Sequence, residues 1–169
     1  MMARMVGELS GRTRRPHGID IDDPALAAFW SVRLLCALTT LRADGSPHVV
    51  PVGATLDASA RLVRIITSAD SLKARHVARA GSGAVSGTGT GTAGAPVAIC
   101  QFEGRHWCTI EGRAVVLDDP AAVAEAEHRY AQRYRTPRPN PSRVVIAARV
   151  TRVLGTIPAL EQADSPPRR

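Results

Sequence analysis

The sequence predicts a small, mainly antiparallel β fold of the α+β class, rolled towards a barrel and flanked by a few helices. Three observations carry this. Strand-like runs follow one another through short turns rich in Gly, Asp and Ser. Only three segments have helical spacing. No strand–helix–strand alternation of the kind that builds a doubly wound parallel sheet recurs. With 169 residues, 44% of them hydrophobic, the chain is long enough for one domain with a real core.

The N-terminal stretch MMARMVGELSGRTRRPHG has basic residues but no apolar run behind them. Residues 1–22 therefore read as a flexible arm and not as a secretory signal. Asp23-Pro24 opens a first helix, since Asp caps well and Pro is tolerated at the first helical position. Leu26, Phe29 and Trp30 give that helix its apolar face. Two strands, 34–41 and 48–56, flank a hairpin turn at Ala43-Asp44-Gly45-Ser46. A third follows the turn at 57–60, with Leu62, Arg64 and Ile66 alternating along it. Asp70 is placed to cap a second helix, SLKARHVARA, that stops at Gly81. The Gly/Thr/Ala-rich segment that follows cannot pack by itself, and it lacks the strand–GxxxxGK–helix and strand–GxGxxG–helix contexts of phosphate loops. Strands 97–102 and 106–117 flank the turn Glu103-Gly104-Arg105. Asp119-Pro120 starts the longest helix, about 120–135, with Val123, Ala126 and Tyr130 at helical spacing. After RTPRPNP, the run RVVIAARVTRVL reads as a final long strand, and residues 158–169 as a disordered tail.

Composition narrows the function. No stretch reaches the roughly 18 apolar residues of a membrane span. Cys36, Cys100 and Cys108 are odd in number and sit in strand-like surroundings, which predicts reduced, buried thiols in a cytoplasmic protein. The C-x7-C spacing without neighbouring histidines is a poor zinc pattern, so no metal site is expected. The net charge of +7 invites a nucleic-acid partner, but Arg is scattered, aromatic residues are only 4%, and no nucleic-acid motif appears. A basic surface of this kind serves an anionic small molecule equally well.

The 22 lysines and arginines include a single lysine, Lys73, in TSADSLKARHVARAG. A strand ending at Thr67 and Ser68 and running into a helix start directs free backbone N–H groups at whatever lies above, a ready anion site. Ser71 adds a hydroxyl and Lys73 a point charge, with Arg75 on the same helix. An exposed helix lysine is the plainer reading of the same residues. In HVVPVGAT, Pro51 removes a ladder N–H and Gly53 permits close approach. That suits either an edge strand beside a ligand groove or a simple edge at a barrel mouth. No Ser/His/Asp or Cys/His nucleophile arrangement has a supporting motif, so the catalytic residues stay unassigned.

The phrases LLCALTTLRADGSPHVVPVGATLD, ARLVRIITSADSLKARHVAR, GRHWCTIEGRAVVLDD and AEHRYAQRYRTPRPNPSRVVIAARVTRVLG resemble the pyridoxamine-phosphate-oxidase-like split β-barrel superfamily. More narrowly they are similar to its flavin/deazaflavin oxidoreductase group of actinobacteria. RYAQRYRTPRPNP is the most specific of them. The similarity covers about residues 25–157, which places the cofactor-binding domain at 23–157. Residues 84–96 depart from the group's pattern as an insertion, and the N-terminal arm is longer.

The resemblance implies a homodimer with cofactor grooves at the subunit interface. It implies coenzyme F420 as cofactor, with FMN the alternative, and hydride transfer to a conjugated double bond of a small substrate such as biliverdin. A tailoring reductase acting on an enone of a secondary metabolite, and a non-catalytic FMN-, haem- or F420-binding protein, are the competing readings. By the same resemblance Lys73 holds the cofactor phosphate, with Thr67, Ser68, Ser71 and Arg75 beside it. His48, Val50, Pro51, Val52 and Gly53 floor the ring, and Trp107 approaches it. Arg129 and Arg133, within the run that includes Arg135, Arg138 and Arg143, hold an acidic tail or the substrate. Hydride transfer suits a chain without a nucleophile, because the cofactor carries the chemistry.

Overall fold

A computed structural model describes residues 18–82 and 93–160. The elements run α1 (Pro24–Ser31), β1 (Cys36–Leu41), β2 (Pro47–Val52), β3 (Ala54–Asp57), β4 (Leu62–Ser68), α2 (Leu72–Ser82), β5 (Ala95–Glu103), β6 (His106–Leu117), α3 (Pro120–Arg133) and β7 (Arg143–Thr156). The strands form one seven-stranded antiparallel sheet in the order β2-β1-β5-β6-β7-β4-β3. Its two edges, β2 and β3, are consecutive in sequence and separated only by Gly53. One chain run thus pairs with β1 through its first half and with β4 through its second, so the sheet must curl into a half-barrel.

This break corrects the predicted single strand 48–56, which the structure divides at Gly53. The other predicted elements are present, with ends shifted by a few residues. Local chemistry explains the starts. Asp23 accepts a bond from Ala25 N (2.8 Å) and Asp119 one from Ala122 N (3.0 Å), each ahead of a proline at the helix start. For α2 the expected cap shifts by one residue. Ser71 Oγ accepts from Ala74 N (3.3 Å), whereas Asp70 is exposed.

The main core lies inside the curl, where Leu38, Val63, Ile65, Ile99, Ile110 and Ile146 are fully buried with Leu26, Phe29 and Trp30 of α1. On β4 it is Val63, Ile65 and Thr67 that face this core. The alternate residues Leu62 and Ile66 join a smaller cluster around Ala126, Val145 and Ala147 beneath α3. Both faces of β4 are therefore covered, which period-two alternation alone does not reveal. Cys36 and Cys108 are buried free thiols, and Cys100 is half-buried. Burial pushes the first two up to about 11, so they stay protonated near neutrality.

Residues 18–22, at the end of the predicted arm, pack onto the fold. Gly18 bridges Leu154, Ile19 N donates to Val153 O (3.0 Å), and Ile21 is buried in the core. Residues 1–17 and 161–169, at the two ends, lie outside the described residues, as does 83–92 of the Gly/Thr-rich stretch. The end of the predicted 84–96 insertion is strand, since Ala95 and Pro96 begin β5. No helix among the described residues is long and apolar enough to cross a membrane.

At a β-bulge, β6 shifts register against β7 between Glu111 and Gly112. A Cβ on Gly112 would lie 2.4 Å from the Arg149 carbonyl oxygen. Gly112→Ala is expected to cost about 2 kcal/mol or more of stability. Urea unfolding of the variant checks this, and an unchanged midpoint would mean the backbone gives way freely.

Candidate active site

A cavity of about 550 Å³ opens between the β2–β3 corner, the start of α2 and the α3–β7 loop. Its floor is Pro51, Val52, Gly53 and Ile66, and Lys73 lies at one side. Tyr130 and the loop residues Arg135, Pro137, Arg138, Pro139 and Asn140, with Arg143 of β7, complete it.

The loop is well tied. Asn140 Nδ2 donates to Ser68 Oγ (2.8 Å), while its Oδ1 accepts from Ser142 N (2.9 Å). Ala69 N donates to Ser142 O (2.9 Å), and Arg143 donates to the Arg138 carbonyl (2.5 Å). Pro137, Pro139 and Pro141 each fix one φ, which further restricts the loop. Gly53 matters because Tyr130 rests on it: a Cβ there would meet the tyrosine ring at 2.5 Å. Tyr130 also stacks on Tyr134, with ring centroids 4.9 Å apart.

The cavity's charge is one-sided. Arg143 pairs with Glu127 at 2.9 Å, but no carboxylate among the described residues pairs with Lys73, Arg135 or Arg138. Burial pushes the half-buried Lys73 ammonium below its ordinary value. A partly desolvated cation without a counter-charge, next to two further cations and a helix start, is a setting for a phosphate or carboxylate. Ser71 Oγ accepts from Thr67 Oγ1 (3.1 Å) as well as capping α2, which leaves its own proton to donate.

Pro51, Val52, Gly53 and Lys73 are thus brought together. Thr67, Ser68 and Ser71 lie just behind them, bonded to one another or to the loop. Other expected site residues lie elsewhere. Val50 packs against the core, Arg75 is exposed, and His48 turns towards Thr40 and His76. Trp107 is half-buried on β6 opposite Phe102.

Arg129 and Arg133 do not reach the cavity, because their guanidinium groups are engaged in the architecture. Arg129 pairs with Asp57 (3.0 Å) and Glu125 (2.5 Å). Arg133 donates to the carbonyls of Val32 (2.9 Å) and Ala54 (2.5 Å) and to Gln101 Oε1. Residue-by-residue reading missed Ile66, Tyr130 and Asn140. The phrase RYAQRYRTPRPNP, which contains the last two, was the available signal.

The profile of the family described as pyridoxamine 5'-phosphate oxidase matches residues 22–156. The chain belongs to this family. Its sequence is 48% identical over 143 residues to the F420H(2)-dependent biliverdin reductase of Mycobacterium tuberculosis, covering 85% of this chain and 93% of that protein. Two solved structures share the fold. A conserved hypothetical protein of Mycobacterium tuberculosis superposes with a TM-score of 0.65 at 19% identity, covering 90% of this chain and 99% of the other. An F420 reductase does so at 0.52 and 20% identity, covering 75% and 93%.

Next to the site, Asp57 joins β3 to α3. Burial pushes its carboxyl up, but bonds from Ser59, Ala60 N and Arg64, with the Arg129 charge, outweigh this and hold it below its usual value. A depressed carboxylate contributes stability that is present above its unfolded pKa and lost as pH falls through the folded one. Asp57→Asn is therefore expected to lower stability at neutral pH and flatten its fall below about pH 4. Thermal melts of both proteins across that range test it, and parallel acid limbs would sink the assignment.

Proposed function

We propose that the protein is an F420H2-dependent reductase that delivers hydride to a conjugated double bond of a small organic substrate, with biliverdin the first substrate to test. The observation that carries the reading is the set of cations without carboxylate partners among the described residues, Lys73, Arg135 and Arg138, on a cavity floored by Pro51 to Gly53. The 48% identity to an F420H(2)-dependent biliverdin reductase supports reading the anion they serve as that of the deazaflavin cofactor.

The residues fit such a group. In this reading Lys73 holds the phosphate as a point charge, assisted by the Ser71 hydroxyl and the start of α2. Thr67 and Ser68 hold Ser71 and Asn140 in place rather than touching the phosphate themselves. Pro51, Val52 and Gly53 form the flat shelf for the ring, where a missing N–H and a missing side chain allow close approach. Arg135 and Arg138 are placed for carboxylates of cofactor or substrate. The bound cofactor would supply the hydride. The chain's own part is to orient it, to neutralise its charge and to wall the ring with Tyr130.

Direct titration with F420, FMN and haem, followed by turnover of F420H2 with biliverdin and a panel of enones, tests this. Micromolar F420 binding and biliverdin-dependent oxidation of F420H2 are expected. Binding of FMN without F420 would overturn the cofactor, and F420 binding without turnover of any acceptor would leave a binding protein. Lys73→Ala should weaken F420 binding about tenfold or more, about 1.4 kcal/mol, whereas Arg75→Ala should change it little. Equal effects would remove Lys73 from the site.

The protein would act as a homodimer. Val49 and Phe102 are 58% and 61% exposed on β2 and β5, on the sheet face turned away from the core. Thr39, Pro96 and Ala98 line a shallow cleft on the same face. A second copy seated there would cover these apolar side chains. Phe102→Glu is expected to shift the mass measured by light scattering from dimer to monomer. A wild-type monomer, or an unaffected dimer, would refute this interface.

A further inference from the structure

Away from the cavity, two imidazoles converge on one hydroxyl. Thr40 on β1 is buried, and its Oγ1 lies 3.0 Å from His76 Nδ1 on α2 and 3.5 Å from His48 Nδ1 on β2. The rings meet edge to face with centroids 5.0 Å apart. A hydroxyl has one proton to give and lone pairs to receive. With both rings neutral, Thr40 donates to one Nδ1 and accepts from the other, so the two Nε2 atoms differ: one carries a proton and the other a lone pair. Neither Nε2 has a hydrogen-bond partner among the described residues.

The surroundings are cationic on every side. Arg42 from the end of β1 and Arg75 and Arg79 from α2 all bear on His76. Burial, His48 and these arginines together hold the His76 imidazolium below its ordinary value. Arg42 is anchored to Pro47 O and Ser46 Oγ, and Arg79 to Leu41 O. Arg75 is exposed and makes no ion pair among the described residues. The one acid in the hairpin beside them, Asp44, is fully exposed and bonded to Ser46.

The geometry points to a second anion site, separate from the cavity, in which His48 and His76 are fixed at Nδ1 by Thr40 and present their Nε2 atoms with Arg75 to a multiply charged phosphate or carboxylate. The charge arithmetic gives the site its pH dependence. Like charges resist protonation of His76, and a bound anion removes that resistance, so binding takes up a proton and tightens as pH falls through the histidine range. Fixing both rings on one buried hydroxyl also lowers the ordering cost that two free surface histidines would incur. This site does not depend on the cofactor reading, since it shares no lining residue with the cavity.

The test uses the full chain without cofactor, with inorganic phosphate and citrate as separate probes, read by histidine-ring NMR and calorimetry. The expected result is a saturable shift of both rings, with citrate binding about tenfold tighter near pH 5.5 than near pH 8. His76→Asn should abolish that pH dependence, and His48→Gln, which removes one of the two rings, should weaken binding. Arg75→Gln, on an exposed side chain that does not threaten folding, should weaken binding severalfold. Lys73→Ala should leave the site intact. Saturation by phosphate but not citrate would assign the site to phosphoryl groups, and the reverse to polycarboxylates. No saturable shift, or a shift lost in Lys73→Ala but kept in the histidine variants, would overturn the proposal.

Discussion

The corner at Gly53, where one chain run passes from one edge of the sheet to the other, depends on the C-terminal end of α3. There Ala54 N–H donates to the Tyr134 hydroxyl (3.1 Å), and Ala54 O accepts from both Tyr134 (3.1 Å) and Arg133. The same two residues reach the α1–β1 connection, Arg133 at Val32 O and Tyr134 at Leu34 O (2.7 Å). Arg133 also meets Gln101 Oε1, while Gln101 Nε2 donates to Phe29 O (2.6 Å). The guanidinium is surrounded by carbonyls that satisfy most of its donors, and it lies over the Trp30 ring at 5.3 Å. Burial beside this network pushes the Tyr134 hydroxyl up to about 12, so it remains a donor at any physiological pH. Without these contacts the corner's peptide groups would be left partly unpaired, at a cost of about 1–3 kcal/mol each.

Once α3 is fixed there, the cavity follows. The loop after it has to span from the corner to β7, and three prolines with the Asn140–Ser68 bond settle its path. Tyr130, one turn before Tyr134, lands on the bare backbone of Gly53. Charges sort themselves along the same line. Where arginine supports architecture it meets an acid or a carbonyl, as in Arg64–Asp57–Arg129 and Arg133. Around the cavity Lys73, Arg135 and Arg138 meet neither among the described residues. Pairing thus separates the cations built into the architecture from those lining the cavity, although all are basic residues in the same sequence.

That separation explains how far the sequence could be read. Strand alternation and the Asp-Pro helix starts depend on neighbours a few residues away, and apart from the run divided at Gly53 those elements form where the pattern places them. The α2 cap fell one residue from its expected place because Asp70 and Ser71 are both good caps, and the tertiary position of Thr67 selects the serine. Arg133 looked available for a ligand because nothing local contradicts it. Its partners Val32, Ala54 and Gln101 lie 101, 79 and 32 residues away. Lys73 differs, since its place on the cavity follows from a strand-to-helix junction in its own segment. Asn140 and Tyr130 act through contacts across the fold, so only family-level similarity could point to them.

If Lys73 holds an anion as proposed, the single lysine among so many arginines becomes a matter of shape and desolvation. An arginine at 73 would bring a planar fork that is best satisfied by two acceptors at once, and would fill more of a cavity that already holds three arginines. An ammonium is compact, and its three donors rotate about a single point. It can sit beside Ser71 at the helix start and present one concentrated charge to an anion held by backbone N–H groups. Its partial burial opposes the charged state, and an anion brought close reverses that opposition. The same physics operates at the histidine pair, with protons supplying part of the charge. At the cavity Lys73, Arg135 and Arg138 have no acidic partner among the described residues, and an anion is the species that would relieve such charge.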